Sequence, residues 1–248
     1  MPSSIIYNGP SLLDGQPIVV IAQTKTRNRK TGDMVQTYIL RADIDPITAN
    51  RTGGDFSICG NCPLRGKAHD GDKGTAKERG CYVTLAHGPR SVYAAYKRGV
   101  YDEVSGHEAI KAIGKGRMVR IGTYGDGAAV PSYIWDSLCD DAAGWTAYTH
   151  QNSLDGAATD PKRFMTSAET EGQAQAAWAM GQRTFRMIAD VADMVKGKEI
   201  LCPASEEAGK RTTCDTCGLC AGASIKAKSI AIVAHGGSAR NAKALLAA

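Results

Sequence analysis

RFMTSAETEGQAQAAWAMGQRTFRMIAD, residues 163–190, is the stretch that decides the fold. Residues 163–168 carry the apolar and β-branched content of a strand. Residues 171–181 (EGQAQAAWAMG) are good helix formers, and residues 184–190 (TFRMIAD) return to strand. A strand, a helix and a strand in so short a span form a βαβ unit, whose two strands lie parallel. The same rhythm runs outward on both sides. Toward the N-terminus, residues 144–150 (GWTAYTH) read as a strand, 132–142 as a helix and 118–124 (MVRIGTY) as a strand, preceded by helices near 91–98 and 107–115. Toward the C-terminus a short helix runs to residue 195. Strands follow at 199–204 (EILCPA) and 229–236 (SIAIVAHG), and a closing helix runs through 246. With YILRA (38–42) and CYVTL (81–85) included, the strands number close to eight. The expectation is one α/β domain whose residues 56–248 form a (β/α)8-like barrel, regular or irregular, in preference to an open doubly wound sheet. No G-x-G-x-x-G or Walker A pattern follows any strand, which argues against a dinucleotide or ATP site.

Residues 1–55 precede this repeat. Residues 1–16 are polar and punctuated by Gly and Pro, and read as an arm. Residues 17–24 and 34–42 are β-rich and flank the turn-forming KTRNRKTGD, which predicts a β-hairpin. Its tip gathers Lys25, Arg27, Arg29 and Lys30. Such a run is a solvated loop or a finger that contacts nucleic-acid phosphates. The net charge of +5 permits nucleic-acid binding without requiring it. With 43% apolar and 22% charged residues, the composition is that of an ordinary globular protein. The apolar runs are too short to span a bilayer, and no basic-then-apolar segment opens the chain. The expectation is a soluble cytoplasmic protein with no membrane partner; the oligomeric state is left open.

Four of the eight cysteines lie between residues 201 and 221: Cys202, followed by Cys214, Cys217 and Cys220 in a C-x2-C-x2-C run. Two-residue gaps aim several sulfurs at one point, as zinc and iron–sulfur sites require. Cys202 precedes Pro203, as a ferredoxin-type distal cysteine does, while zinc needs only the four thiolates, with His235 able to replace one. Spacing alone leaves both metals open. A second candidate metal site comprises Cys59, Cys62 and Cys81, to be completed by His69, His87 or a non-protein ligand. Cys139, in a helical pattern, reads as a core residue.

In a barrel, chemistry gathers at the C-terminal ends of the strands. Those positions hold Asp126, Thr149, His150, Glu169, Thr170, Asp190, Cys202 and His235. Asp126 stands between glycines that would let a large ligand approach, and is the leading catalytic candidate. Glu169, Asp190 and His150 follow as acid, base or ligand, although Asp190 would equally serve as a helix cap.

The order CxxCP, CYV, RIxxxGD, AYT, RxMxS and a terminal TCxxCxLC resembles a family of phage-borne proteins of undefined function, from Cys59 onward. More distantly the chain is similar to tRNA-guanine transglycosylases and their relatives that place 7-deazaguanine bases in phage DNA. That resemblance implies zinc held by three cysteines and a histidine, and a carboxylate at a strand end that attacks the sugar C1′. Two features depart from it: the first gap of the terminal run is C-x2-C rather than a single-residue gap, and the cluster at Cys59 has no counterpart. On this reading the chain exchanges guanine in DNA, with RNA not excluded, for a small-molecule deazaguanine in an infected bacterial host. Asp126 would be the nucleophile, and Glu169 or Asp190 the acid/base. The flipped nucleotide would lie between Tyr124, Tyr148 and Met165, near Thr149. The basic tip would hold phosphates. Two rival readings are an iron–sulfur redox or radical enzyme on the same barrel, although the radical C-x3-C-x2-C signature is missing, and a non-catalytic metal-stapled nucleic-acid-binding protein.

Overall fold

The computed structural model describes residues 2–26, 28–152 and 160–247. The fold is mixed α/β, built on two hydrogen-bonded sheets joined by one continuous stretch of chain. The first sheet has six strands in the order β4-β1-β2-β3-β5-β6. These are β1 (Ser4–Pro10), β2 (Pro17–Gln23), β3 (Val35–Arg41), β4 (Asp102–Glu103), β5 (Met118–Tyr124) and β6 (Gly144–Thr146). The second sheet has the order β10-β11-β9-β8-β7. It comprises β7 (Tyr148–Thr149), β8 (Met165–Ala168), β9 (Thr184–Ile188), β10 (Glu199–Leu201) and β11 (Ser229–Val233). Only Ala147 separates β6 from β7. Its carbonyl accepts from Met165 N and its N–H donates to Cys220 O, both at 3.0 Å, so the chain changes sheets there without leaving the ladder.

From β3 through β11 to β10 every pairing is parallel, as the βαβ reading of residues 163–190 requires. The predicted hairpin is present as antiparallel β2 and β3. The expected closed barrel is not. The sheets remain open because β11 inserts between β9 and β10, and because the edges are β4, of two residues, and β10, of three. Edges this short offer no ladder on which to close.

Two local expectations also change. Residues 4–10 are not a free arm but a strand paired with β2. Residues 81–85 are not a strand. The Arg79 guanidinium takes the carbonyls of Cys81 (2.9 Å) and Val83 (2.8 Å), and Cys81 N donates to Leu64 O, so no ladder can form.

The helices that matter for position are α1 (Pro46–Thr52), α2 (Phe56–Cys59), α3 (Gly88–Lys97), α4 (His107–Gly114), α5 (Ser132–Cys139), α6 (Glu171–Ala179), α7 (Cys214–Cys217) and α8 (Ala239–Leu246). The main core runs from Ile5 through Val19, Ile39, Val119 and Trp135 to Phe164, so the first 55 residues share it with the rest. Cys139 belongs to this core, and burial pushes its thiol pKa up to about 12. Strand side chains alternate between faces. On β9, Thr184 and Arg186 turn toward α6 and β10: Trp178 Nε1 donates to Thr184 Oγ1, and Arg186 pairs with Glu199 at 2.7 Å. Phe185 and Met187 therefore take the opposite face, which holds the site. Among the described residues no helix is long and apolar enough to cross a membrane.

Candidate functional site

Alternation places Arg120, Gly122 and Tyr124 of β5, Tyr148 of β7, Ser167 of β8, Phe185 and Met187 of β9, and Ile230 and Ile232 of β11 on one face. Two segments cover that face: residues 59–83 at one end, and the loop from Cys202 to Cys220 at the other. Between sheet and cover lie two adjoining cavities. The first, of about 120 Å³, is lined by Cys59, Cys62, Cys81, Tyr124, Asp126, His150 and Glu169 among others. The second, of about 230 Å³, is lined by Cys202, Cys214, Cys217, Cys220, Arg120, Lys30 and His235 among others. Tyr82, Tyr148 and Phe185 line both and form the wall between them, with the Tyr148 and Phe185 ring centroids 4.3 Å apart.

All eight cysteines are free thiols, and seven of them line these two cavities. Among the described residues no three His, Cys, Asp or Glu side chains close to metal-binding distance of one another, so each set surrounds a space rather than a point. The terminal set is held firmly. Thr213 leads into α7, whose first two amides, Cys214 N and Asp215 N, donate to Lys30 O and Thr31 O at 3.0 Å. The hairpin tip thus braces the cysteine loop. Within the cavity the Tyr148 phenol and the Cys220 thiol line the same space. Burial pushes the Cys220 thiol up to about 12, and the neighbouring Cys202, Cys214 and Cys217 add to that rise.

Arg120 was not singled out from sequence, although a cation inside the apolar strand MVRIGTY, in phase with Tyr124, was a readable anomaly. Its guanidinium donates to Tyr82 Oη at 3.1 Å and lies 5.9 Å from the Tyr148 ring centroid. Among the described residues its Nε has no hydrogen-bond partner. Burial opposes its charge, but the phenols of Tyr82 and Tyr148 and the thiols of Cys214 and Cys220 raise its pKa regardless. His235 stacks on Tyr82, and its Nε2 lies 3.4 Å from Lys30 Nζ. Burial and that ammonium both push the His235 pKa down.

The first cavity holds the carboxylates of interest. Asp126 is buried, but its oxygens are committed: Oδ1 accepts from Ala128 N (3.0 Å), and Oδ2 from Thr149 Oγ1 (3.1 Å) and His150 N (2.8 Å). It caps the short helical turn Gly127–Ala129 rather than α5. The flanking glycines make room for the protein itself, not for a ligand. A Cβ at Gly125, where φ is +88°, would lie 2.7 Å from Ile39 Cβ, and one at Gly127 would lie 2.5 Å from the Phe164 ring. Glu169 Oε1 lies 2.7 Å from His150 Nε2, and both side chains are largely enclosed. Cys62 lines the same cavity as the imidazole. Burial works against a charged His150, yet Cys62 and Glu169 outweigh it and raise its pKa well above the usual value.

Other candidates lie elsewhere. Asp190 caps the turn Val191–Asp193, is not buried and does not line either cavity. Met165 is a fully buried core residue beneath the cysteine loop rather than a cavity wall. Thr149 is buried against Asp126, whereas Tyr124 and Tyr148 do line the cavities. His69 hydrogen-bonds within its own loop, to Gly71 N and Thr75 O, and His87 precedes α3; neither joins the cysteines. Lys25 and Arg29 are exposed, Lys30 turns in toward His235, and Arg27 lies outside the described residues.

No protein-family model matches the chain, and no curated protein or solved structure matches it.

Proposed function

We propose that the protein is an iron–sulfur oxidoreductase whose cluster is held by Cys202, Cys214, Cys217 and Cys220 and serves chemistry in the adjoining cavity. The observation that carries this reading is the gathering of seven cysteines in two cavities that share one aromatic wall. A single tetrahedral zinc at about 2.3 Å from each thiolate would draw the sulfurs to roughly 3.8 Å from one another. The terminal thiols line a cavity of about 230 Å³, which also has room for a larger cluster. A bound cluster supplies one-electron transfer, at a potential set by charge, hydrogen bonds to sulfur and exposure. The chain's own residues address each of those. Arg120 and Lys30 offset thiolate charge, the Tyr148 phenol lines the same space as the sulfurs, and Tyr82, Tyr148 and Phe185 exclude water between the cavities.

Guanine exchange would need a carboxylate free to attack a sugar. Asp126 is engaged by three donors, Asp190 lies away from the cavities, and Glu169 is bound to His150.

Anaerobic purification tests the reading. The expected product is brown, absorbs in the visible violet, and carries iron and acid-labile sulfide, all lost in Cys217→Ser. Colourless protein with stoichiometric zinc, or with no metal, overturns it.

A further inference from the structure

We infer that Cys59, Cys62, Cys81 and His150 form a second metal centre for a divalent ion of the zinc or ferrous class, with Glu169 orienting the imidazole. The inference rests on the reading above only in taking the clustered cysteines as thiolate ligands.

The four groups come from three separate segments and meet at one cavity. Cys59 ends α2, and Cys62 N donates back to Cys59 O at 3.2 Å, a tight turn that brings both thiols to the same side. Arg65 fixes this turn through Asp55 (2.5 Å), Gly60 O (2.8 Å) and Gly53 O (2.9 Å). Cys81 is set by the Arg79 guanidinium on its carbonyl and by Leu64 O on its N–H. His150 follows β7 directly. Its backbone N–H is held by Asp126, and its Nε2 meets Glu169 Oε1 at 2.7 Å, while Cys62 lines the same cavity.

An imidazole anchored by a carboxylate on one side and facing thiols on the other has the arrangement of a metal-bound histidine. The carboxylate fixes the tautomer and raises ligand basicity. Asp126 and Glu169 are then positioning residues for His150, the first through its backbone and the second through its ring. Three thiolates and a neutral imidazole suit a borderline-soft divalent ion, and leave one net negative charge on the centre. Arg65 and Arg79 lie close enough to interact with that charge.

A further observation points to a missing occupant. The Tyr124 hydroxyl lines the same cavity, is buried, and has no hydrogen-bond partner among the described residues. The thiols stand around the cavity rather than closed on a point, so loading an ion requires their side chains to rotate. Loading transfers no electrons: the ion binds, the three thiols release their protons, and the imidazole gives up any proton on the nitrogen that takes the ion.

The test compares variants of the full chain isolated anaerobically, by elemental analysis and native mass spectrometry. In Cys217→Ser the visible chromophore is lost while one divalent ion per chain remains. In His150→Ala the chromophore remains and that ion is lost, or binds at least tenfold more weakly; Cys62→Ser gives the same outcome should His150→Ala fold poorly. Glu169→Gln weakens the ion 10- to 100-fold without moving the melting temperature of metal-stripped protein. His69→Ala and His87→Ala change nothing. Retention of the ion at full affinity in both His150→Ala and Cys62→Ser overturns the inference. So does a wild type with a chromophore but no additional ion, which leaves the iron–sulfur reading intact. A colourless wild type that loses its ion in His150→Ala overturns the iron–sulfur reading instead and keeps this centre.

Discussion

At the scale of single residues, the site depends on side chains whose polar atoms are already committed. Asp126 satisfies three donors, two of them on the segment carrying His150. Asp126→Ala would leave those donors buried without a partner, and each such loss costs about 1–3 kcal/mol. We expect a drop of about 3 kcal/mol in unfolding free energy, read from urea titrations. Unchanged stability would mean that the carboxylate is free for other work. Tyr148 gives a second prediction. Its hydroxyl shares a cavity with Cys220, and a hydrogen bond from it to sulfur would favour the more negative, reduced state of a bound cluster. Tyr148→Phe should therefore lower the midpoint potential by roughly 40 mV, the equivalent of ~1 kcal/mol of differential hydrogen bonding. Protein-film voltammetry would measure it, and an unchanged potential would remove Tyr148 from the cluster's surroundings.

At the scale of elements, the strands 118–124, 165–168, 184–188 and 229–233 were legible because each is a compact apolar, β-branched run between helix or turn signals. β1 was not, since SIIY is short and is followed at once by Asn-Gly-Pro. CYVTL misled for the opposite reason: its propensity is high, but Arg79, two residues upstream, occupies its carbonyls. The exchange of β10 and β11 could not be read either, because strand order is set by tertiary pairing and not by local pattern. The two cysteine sets were visible through their spacing, whereas His150 meets Cys62 only through the fold. The buried Arg186–Glu199 pair now holds the exchanged strands. Arg186 on β9 reaches Glu199 on β10 past Ala231 of β11, whose small side chain leaves the way open. Glu199→Ala should cost about 3–5 kcal/mol by stranding the guanidinium, while replacing both partners with Met should recover most of it. A double-mutant cycle decides, and additive effects would show that the pair does not act as a unit.

At the scale of the whole molecule, the terminal loop covers the sheet, so a metal held by its thiols would be linked to the fold. Cys202 is part of a small buried cluster with Met165, Ile230 and Ile232. A ligand present at about a thousand times its dissociation constant stabilises by about 4 kcal/mol, which in a chain of this size is roughly 10 °C of melting temperature. Calorimetry with and without a strong chelator should show a loss of that order. Coincident melts would place the metal outside the cooperative unit.

The segment that changes sheets at Ala147 also sets an order in time. Every strand of the first sheet lies within residues 4–146, and Cys59, Cys62 and Cys81 lie there too. A chain made from its N-terminus can fold that half as a unit while the second is still being synthesised. His150 emerges next, just past the crossing point, and the Cys202–Cys220 loop emerges long after it. The two thiol sets therefore become available one after the other, so metals bound as proposed would be met in sequence rather than in competition.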